Sequence, residues 1–499
     1  MLYLAVAILL TLAIRLSFLL RYPTAYLTGD AVVHLLYIKM IRNNQGKIPD
    51  KDDLFNLDHP GYPHGYHKLL ALTGLPLETI ARQGKFLPTV FDTLLLIFIG
   101  IILITYGGGH TEWLLLFPLL RIFWGNEGRA FHFNERAYGV LFCNIFLASM
   151  FISVQFHSWP WLLPALLGFT VFSTSSKFSW QAAILYTVIL SILTLNPVYL
   201  LVFVAVFAVS AILTLGYNIK VLKELIRNLY VYKTFLAKKY LNLGQSYAKL
   251  WKGLKPGKRF IAYRQLFFKN SLLKLVSDFA IVVPFLSVWY VSDFHLTPWH
   301  MYALTGIILL PLIATEALKF IGEPERYLEF CVFPIFFILS FYSGLQHWPA
   351  LLIGVMIGTA GILHQFDIKN RQSGEHLERE NGYADLEAFL RGQKPGLILT
   401  VDIRLAFRLA YKLTGHRYVG VCRNFGSGEK LKHYMGLFPD YFPYPGNCLS
   451  KYIEEFGINY LVVDKIALLK INKATNYEYY NFSNLAILYD SESFSVYTP

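Results

Sequence analysis

Residues 137–156 read AYGVLFCNIFLASMFISVQF, a run without a single charged side chain. A run of about 17–25 mostly apolar residues is long enough to cross the hydrocarbon core of a bilayer as a helix. Further runs of this length lie near 2–20, 88–106, 197–216, 273–291, 299–320 and 346–364. Such repetition predicts a polytopic α-helical membrane protein.

Shorter apolar runs lie near 112–124, 159–174, 179–195 and 327–343. They predict spans that are tilted, broken or partly buried in protein, because irregular backbone at membrane depth needs a protein environment. With these runs the sequence predicts about eleven membrane-spanning helices. The run at 2–20 has neither a charged leading region nor a small-residue cleavage site after it, so we expect a retained helix.

The composition of the chain agrees with a membrane protein. Of its 499 residues, 55% are hydrophobic and 15% are charged, and the mean hydropathy is +0.43. Soluble domains contain about 25% charged residues, so this chain has too few to coat a surface that faces water. The net charge of +13 therefore predicts anionic membrane lipids and phosphate-bearing lipids as partners, and no nucleic acid.

The pattern changes near residue 368, where charged residues become common. Predicted strands lie at 396–402 (GLILTVD), 417–422 (RYVGVC) and 458–464 (INYLVVD), helical patterns at 403–413 and 452–457, and a hairpin in LAILYD and FSVYT. This alternation predicts a small α/β accessory domain at 368–499 with a mostly parallel sheet, after a transmembrane domain at 1–367. We expect Asp402 and Asp464, at strand ends, to cap helices.

Two hydrophilic stretches interrupt the apolar runs. The first loop, about 21–87, contains a helical pattern and the Pro/Gly/His-rich stretch 58–67, and we expect its short helices to lie on the membrane surface. The stretch 217–272 contains thirteen Lys or Arg residues and one acidic residue, Glu224. It predicts interfacial helices.

Asp30 and His34 form the first group of candidate functional residues. They are spaced to share one face of a helix just after the first apolar run. A carboxylate at a membrane boundary is costly and suggests a function, either as a general base or as a ligand of a divalent cation. The alternative is a helix cap with an interfacial histidine.

The loop GNEGRAFHFNER contains the second group, Glu127 and Glu135. A functional interpretation places one of these carboxylates opposite Asp30. The alternative is that the loop's own arginines neutralise both.

The loop GEPERYLEF contains the third group. Arg326, beside Tyr327, is suited to bind a phosphate through two parallel hydrogen bonds. The alternative is an ion pair with Glu323 or Glu325. Lys177, in STSSKFSW, is a further cation at a helix end, where a lysine that extends to the interface is the ordinary explanation.

These motifs together resemble the GT-C superfamily of membrane glycosyltransferases, which includes protein O-mannosyltransferases, aminoarabinose transferases and oligosaccharyltransferase catalytic subunits. TGDAVVHL resembles the first acidic motif, with Asp30 at the catalytic position, and FNERAYGVLF resembles the second-loop pattern, with Glu135. STSSKFSWQA and GEPERYLEFCVFP resemble later motifs, with Lys177 and Arg326.

The resemblance implies transfer of a sugar from a polyprenyl-phosphate donor to a glycan, lipid or protein acceptor outside the cytosol. It implies Asp30 and Glu135 as catalytic residues. The implied substrate-binding residues are His34, Glu127, Lys177, Glu325, Arg326 and Tyr327. It also implies a multi-pass protein of the cell membrane, with its active-site loops and C-terminal domain on the extracytosolic side.

The sequence departs from the family pattern in three places. Ala137 replaces the proline that often follows the second-loop arginine, and the Trp-Trp-Asp acceptor motif is absent, which argues against N-glycosylation of sequons. The first loop motif has a single Asp rather than an acidic pair. No metal ligands are therefore predicted, and a divalent cation, Mg²⁺ or Mn²⁺, stays an open alternative.

Two other functions stay open: a transporter or flippase with Asp30, Glu135 and Arg326 along a polar pathway, and a polymerase or ligase of cell-envelope polysaccharides. The topology is open as well. Eleven spans place the first loop, the GEPERYLEF loop and the C-terminal domain on one side. Ten spans would move 217–272, the GEPERYLEF loop and the C-terminal domain to the cytosolic side, as the excess of positive charge in 217–272 favours.

Overall fold

A computed structural model provides the structure. It describes residues 1–21, 30–48, 51–52, 57–58, 63–125, 127–130, 133–237, 239, 246–257, 259–341, 348–419 and 435–499. The description excludes the side chains of 30, 51–52, 57–58, 127–128, 246 and 371–378. The described chain is mostly helical, with a small mixed sheet near the C-terminus.

The chain divides into two units by its packing. The first unit comprises 1–24, 82–222 and 244–370, and the second comprises 25–81, 223–243 and 371–499. Most of the first loop, which the sequence assigned to the membrane domain, therefore belongs to the same unit as the C-terminal residues.

Uninterrupted apolar runs form the longest helices. Four are long and apolar enough to cross a membrane: Leu2–Arg21, Leu77–Tyr106, Arg136–Gln155 and Trp348–Asn370. A fifth span results if Val198–Leu213 and Tyr217–Leu236, which meet at a bend of 118°, count as one. These helices indicate a membrane protein. Over the described residues, however, they are fewer than the roughly eleven spans that the sequence predicts.

The difference arises because several predicted spans are short or broken. Leu162–Ser173, Lys177–Leu193, Val282–Val291 and Pro298–Ile313 are apolar helices of 10–17 residues. At 1.5 Å per residue, they are shorter than a hydrocarbon core of about 30 Å. The run predicted near 273–291 is divided by a turn between Lys274–Ser277 and Val282–Val291.

The run predicted near 112–124 is not α-helical. It forms two 3₁₀ helices, Thr111–Leu119 and Arg121–Phe123, with Pro118 inside the first. Trp113, Leu114 and Phe117 are buried in the first unit. The segment is thus packed inside protein, where irregular backbone is tolerated.

Three of these elements are subdivided or extended. Leu77–Tyr106 consists of Leu77–Gln83, Gly84–Phe86 and Leu87–Tyr106, Tyr217–Leu236 consists of Tyr217–Val231 and Tyr232–Leu236, and the fourth long helix continues as Trp348–Arg391. The remaining helical segments are short: Asp30–Asn43, Gly65–Leu72, Glu127–Ala130, Trp159–Trp161, Ser246–Gly253, Phe260–Lys269, Lys319–Ile321, Pro324–Phe330, Val332–Leu339, Leu405–Lys412, Leu449–Phe456 and Lys465–Thr475.

The helix Asp30–Asn43 differs from the surface helix that the sequence predicts. Its residues 31–38 are all buried, whereas a helix lying on a membrane leaves one face to water. It packs against the helix Leu405–Lys412 within the second unit. Its apolar side chains therefore contribute to a protein core.

The second unit contains the strands β1 (Lys51–Asp52), β2 (Leu57–Asp58), β3 (Leu397–Val401), β4 (Arg417–Tyr418), β5 (Tyr460–Asp464), β6 (Ala486–Asp490) and β7 (Phe494–Thr498). β1 and β2 form a short antiparallel pair, and the other five form one sheet in the order β4-β3-β5-β7-β6. β3 is parallel to β4 and β5, whereas β7 is antiparallel to β5 and β6. The sheet is therefore mixed and not mostly parallel, because the C-terminal hairpin adds to β5 in the antiparallel sense.

The two aspartates that follow β3 and β5 differ. Asp464 accepts hydrogen bonds from the backbone N–H groups of Ile466 and Ala467, both at 3.0 Å, so its prediction as a helix cap is confirmed. Asp402 has φ +58° and pairs with Arg404, and Arg404 occupies the cap position of the next helix. Asp402 Oδ1 accepts a hydrogen bond from the backbone N–H of Arg404 at 3.0 Å, so Asp402 caps the turn that leads into this helix and not the helix itself. Cys422, in the strand predicted at 417–422, lies outside the described residues.

Candidate functional site

A buried network of ion pairs lies within the first unit. The Asp92 carboxylate accepts hydrogen bonds from two guanidinium groups, those of Arg15 and Arg129. Arg129 binds it at 2.6 and 2.9 Å and also donates from Nε to Glu329 Oε2 at 2.7 Å. These four side chains are at most 2% exposed. Buried charges persist only when they are paired, as these are.

The network joins segments that are far apart in the sequence. Arg15 is in the helix Leu2–Arg21, Asp92 is in Leu87–Tyr106, and both arginines donate to the Phe123 carbonyl at 2.9–3.0 Å. Burial disfavours a charged Arg129, but Asp92 and Glu329 outweigh burial and raise the pKa of Arg129 above its usual range. The network therefore fixes the position of the loop that precedes Arg136.

Arg136 is the least satisfied member of this group. Its Nη2 lies 3.7 Å from Glu329 Oε1, beyond hydrogen-bonding distance. Its Nε is buried and has no hydrogen-bond partner among the described residues. A buried guanidinium with spare donors is suited to receive an anionic group.

The GEPERYLEF loop forms the 3₁₀ helix Pro324–Phe330. Arg326 Nε donates to Glu323 Oε2 at 2.5 Å, and Glu325 pairs with Lys274 at 2.5 Å. Arg326 thus forms the ion pair with Glu323 that the sequence offered as the alternative to phosphate binding. Burial favours a neutral Glu323, but Arg326 and Arg136 outweigh it and lower the pKa of Glu323 to about 2.

Phe178 is the point at which the loops meet. The guanidinium of Arg136 lies 6.0 Å from the centroid of its ring, and that of Arg326 lies 5.8 Å from it. Lys177, half-buried, begins the helix Lys177–Leu193, which Ser176 caps. The structure thus brings residues from three predicted motifs to one aromatic ring.

Tyr327 connects the GEPERYLEF loop to a neighbouring helix. It is fully buried, and its hydroxyl donates to Gln181 Oε1 at 3.4 Å. Its carbonyl accepts from the Tyr186 hydroxyl at 2.6 Å. Both contacts tie the GEPERYLEF loop to the helix Lys177–Leu193, so Tyr327 has a structural role in this geometry.

The acidic candidates are less fully described. Asp30 begins the helix Asp30–Asn43, and Glu127 begins Glu127–Ala130, but both side chains lie outside the described part of the structure. Glu135 is half-buried and immediately precedes the helix Arg136–Gln155. Glu135 is thus the neighbour in sequence of Arg136, whose guanidinium approaches Phe178. Asp30 belongs to the second unit.

His34 is buried and paired, not interfacial. Its Nδ1 lies 2.7 Å from His67 Nε2, and the two rings stack with centroids 5.0 Å apart. One of the two nitrogens must bear the proton that joins them. Imidazole nitrogens are common ligands of zinc and similar ions.

The sequence analysis missed several members of the buried network. Arg15, Asp92 and Glu329 were not predicted, nor were the buried pair of Arg121 with Asp278 and the partner of Glu325, Lys274. A signal was present for Arg15 and Asp92, because each is a charged residue inside a long apolar run, and such residues are costly in a membrane.

Comparison of the chain with models of protein families finds no match, and comparison with curated proteins finds none. The resemblance to GT-C glycosyltransferases therefore rests on the short sequence motifs alone.

Proposed function

We propose that this protein is a GT-C-type glycosyltransferase of the cell membrane, which transfers a sugar from a polyprenyl-phosphate donor to an extracytosolic acceptor. The observation that carries the proposal is the meeting of Arg136 and Arg326 at the ring of Phe178. Two guanidinium groups near one aromatic ring attract an anion, and arginine binds phosphate through paired hydrogen bonds. Lys177, next to this ring, supplies a third cation.

The depth of the site also supports the proposal. Arg15 lies about 9 Å from the C-terminal end of Leu2–Arg21, at 1.5 Å per residue, and Arg136 is the first residue of its helix. Asp92 lies about 8 Å from the start of Leu87–Tyr106, the last segment of the span Leu77–Tyr106. These positions would put the site near a membrane boundary, where the phosphate of a lipid-linked sugar lies. A lipid tail would extend from it along the apolar helices.

In this proposal the acidic residues perform the transfer. Asp30 removes the proton of the acceptor hydroxyl or amine as that group attacks the sugar C1, and the lipid phosphate leaves. Glu135, adjacent to Arg136, orients the donor or the acceptor. His34 and Glu127 are proposed to contact substrate, and a divalent cation, Mg²⁺ or Mn²⁺, stays an open alternative.

About eleven spans are proposed for the membrane domain. The four long helices and the bent pair would be joined by the four shorter apolar helices, by Val332–Leu339 and by the buried 3₁₀ segment at 111–123. Short spans occur where the bilayer thins or where neighbouring protein covers them. This count places the first loop and the GEPERYLEF loop on one side.

A transporter or flippase is the second candidate, and the buried network of Arg15, Asp92, Arg129 and Glu329 favours it, because intramembrane charges often line a transport pathway. However, transport sites lie near the midplane of the bilayer, whereas these residues lie close to helix ends. The charged groups of the network also pair with one another, which is typical of a structural role.

Binding of a polyprenyl phosphate tests the donor site. In purified protein, Arg326→Ala should weaken binding of the lipid phosphate about tenfold or more, because a charge-assisted hydrogen bond contributes about 1.5–3 kcal/mol. Arg404→Ala, which removes an ion pair with Asp402 in the second unit, is the matched control and should bind normally. Equal binding by wild type and Arg326→Ala, measured by native mass spectrometry, would reject the site.

A further inference from the structure

A helical hairpin in the first unit has no role in the proposed function. It consists of residues 246–269, with the helices Ser246–Gly253 and Phe260–Lys269, and is called here the basic hairpin. Its sequence contains seven Lys or Arg residues and no Asp or Glu. An unmixed positive charge of this density needs an anionic partner, because like charges this close repel one another.

The inner side of the basic hairpin packs on the ends of two apolar helices. The Tyr247 hydroxyl donates to the Pro311 carbonyl at 3.1 Å, near the end of Pro298–Ile313. Phe268 stacks on His364 with centroids 4.1 Å apart, near the end of the membrane span Trp348–Asn370. The hairpin therefore lies beside the C-terminal parts of two apolar helices, which would leave the bilayer at this level.

The two helices of the hairpin also pack on each other. A Cβ at Gly253 would lie 2.5 Å from Leu266 Cδ1, so glycine permits this close approach. The Tyr263 hydroxyl donates to the Lys255 carbonyl at 2.9 Å. The hairpin is thus a defined structural element.

The outer side combines apolar and basic residues. Trp251 is 72% exposed, Phe260 is 78% exposed and Ile261 is 61% exposed. Exposed basic side chains are interspersed with them: Lys249, Lys252, Lys255, Arg259 and Lys269. Exposed aromatic residues beside lysines are typical of helices that lie in the headgroup region, with the rings toward the acyl chains and the ammonium groups at the phosphates.

We propose that the basic hairpin binds anionic phospholipid headgroups and inserts Trp251, Phe260 and Ile261 into the adjoining leaflet. Each basic side chain near an anionic surface strengthens such an association about fivefold. The interaction fixes the depth of the helix ends in the bilayer. It is independent of the proposed transfer reaction, since its measurement requires no donor or acceptor.

A spin label at Ile261→Cys in the full-length protein tests the proposal, with Cys448 and Cys422 replaced by serine. The protein is reconstituted in vesicles of phosphatidylcholine alone or with about one-quarter phosphatidylglycerol. Relative collisions with oxygen and with a water-soluble nickel chelate report the depth of the label. We expect the label below the headgroups in the anionic vesicles, and closer to water in neutral vesicles or in high salt.

The charge dependence is tested by Lys249→Glu/Lys255→Glu/Arg259→Glu in the same labelled protein. Each substitution replaces a positive by a negative charge, and loss of the three positive charges alone should shift the label about 100-fold toward its water-exposed state in anionic vesicles, so we expect at least that shift. The control reverses three exposed lysines of the second unit, Lys451, Lys470 and Lys473, and should change nothing.

Two results would overturn the proposal. A label exposed to water in both kinds of vesicle would show that the hairpin does not contact lipid and leaves this face for a protein partner. A label at the same depth in neutral and anionic vesicles, unaffected by the glutamate substitutions, would show insertion without recognition of anionic headgroups.

Discussion

Arg129 and Arg136 approach the same carboxylate, that of Glu329, but their substitution should affect the stability of the protein differently. Arg129 makes hydrogen bonds to Asp92 and Glu329 at 2.6–2.9 Å and is fully buried. Arg129→Met removes one partner from two buried carboxylates. Removal of one partner of a buried pair costs about 3–5 kcal/mol, so this variant should melt several degrees lower or fail to accumulate.

Arg136→Met should leave stability almost unchanged. Its attraction to Glu329 across 3.7 Å is about 4 kcal/mol at an effective dielectric constant of about 20. The desolvation of a guanidinium that lacks hydrogen bonds costs several kcal/mol and offsets most of that gain. The same variant should, however, lose about 10- to 100-fold in affinity for a polyprenyl phosphate, the contribution of one charge-assisted hydrogen bond.

The assay measures both properties on the same samples. Apparent melting temperature is followed by tryptophan fluorescence in detergent, and lipid phosphate retention is measured by native mass spectrometry. Normal lipid binding by a well-folded Arg136→Met would refute the functional assignment. Equal destabilisation by the two substitutions would refute the distinction between a structural and a ligand-binding arginine.

Three further predictions concern the acidic residues and the second unit. Asp30→Asn should lower transfer by about 10²–10⁴ while the protein still inserts, and Glu135→Gln should also impair it; normal turnover by Asp30→Asn would exclude it as the base. Since the pKa of Glu323 is lowered to about 2 from 4.5, its ion pair should stabilise the fold above pH 4.5 and lose that effect as the pH falls toward 2. The melting difference between wild type and Glu323→Gln should therefore vanish near pH 2, and a difference that persists there would contradict the pairing. Residues 371–499 expressed alone should melt at a lower temperature than within the full chain, because the fragment loses contacts such as the hydrogen bond from Phe442 N–H to the Lys239 carbonyl at 2.9 Å. The fragment should bind no nucleotide sugar. Micromolar binding of a nucleotide sugar would move the catalytic site into this unit.

Local patterns predicted the elements of the C-terminal sheet well. β3 and β5 lie inside the predicted strands GLILTVD and INYLVVD, and the final hairpin is formed by β6 and β7. Each is a short apolar run that turn residues or an aspartate terminate, so sequence and structure depend on the same local signal. The pairing of β7 with β5 is a long-range contact, and the sequence offered no signal for it.

The predictions were less complete in the first unit. Apolar runs identified the helices, but their lengths depend on turns such as that between Lys274–Ser277 and Val282–Val291. Charged motifs near Glu135, Lys177 and Arg326 were identified by their chemistry. The network that supports them was not, because its partners, such as Arg129 and Glu329, are 200 residues apart and no local period relates them.

The most direct test of the account is turnover by the purified protein in defined lipid vesicles. Radiolabelled sugar is supplied either on a polyprenyl phosphate or as a soluble nucleotide sugar, with a membrane extract as the source of acceptor and Asp30→Asn as the inactive control. The account predicts transfer from the lipid-linked donor alone, absent in the Asp30→Asn protein. Transfer from the nucleotide sugar without a lipid carrier, or equal transfer by the Asp30→Asn protein, would contradict it.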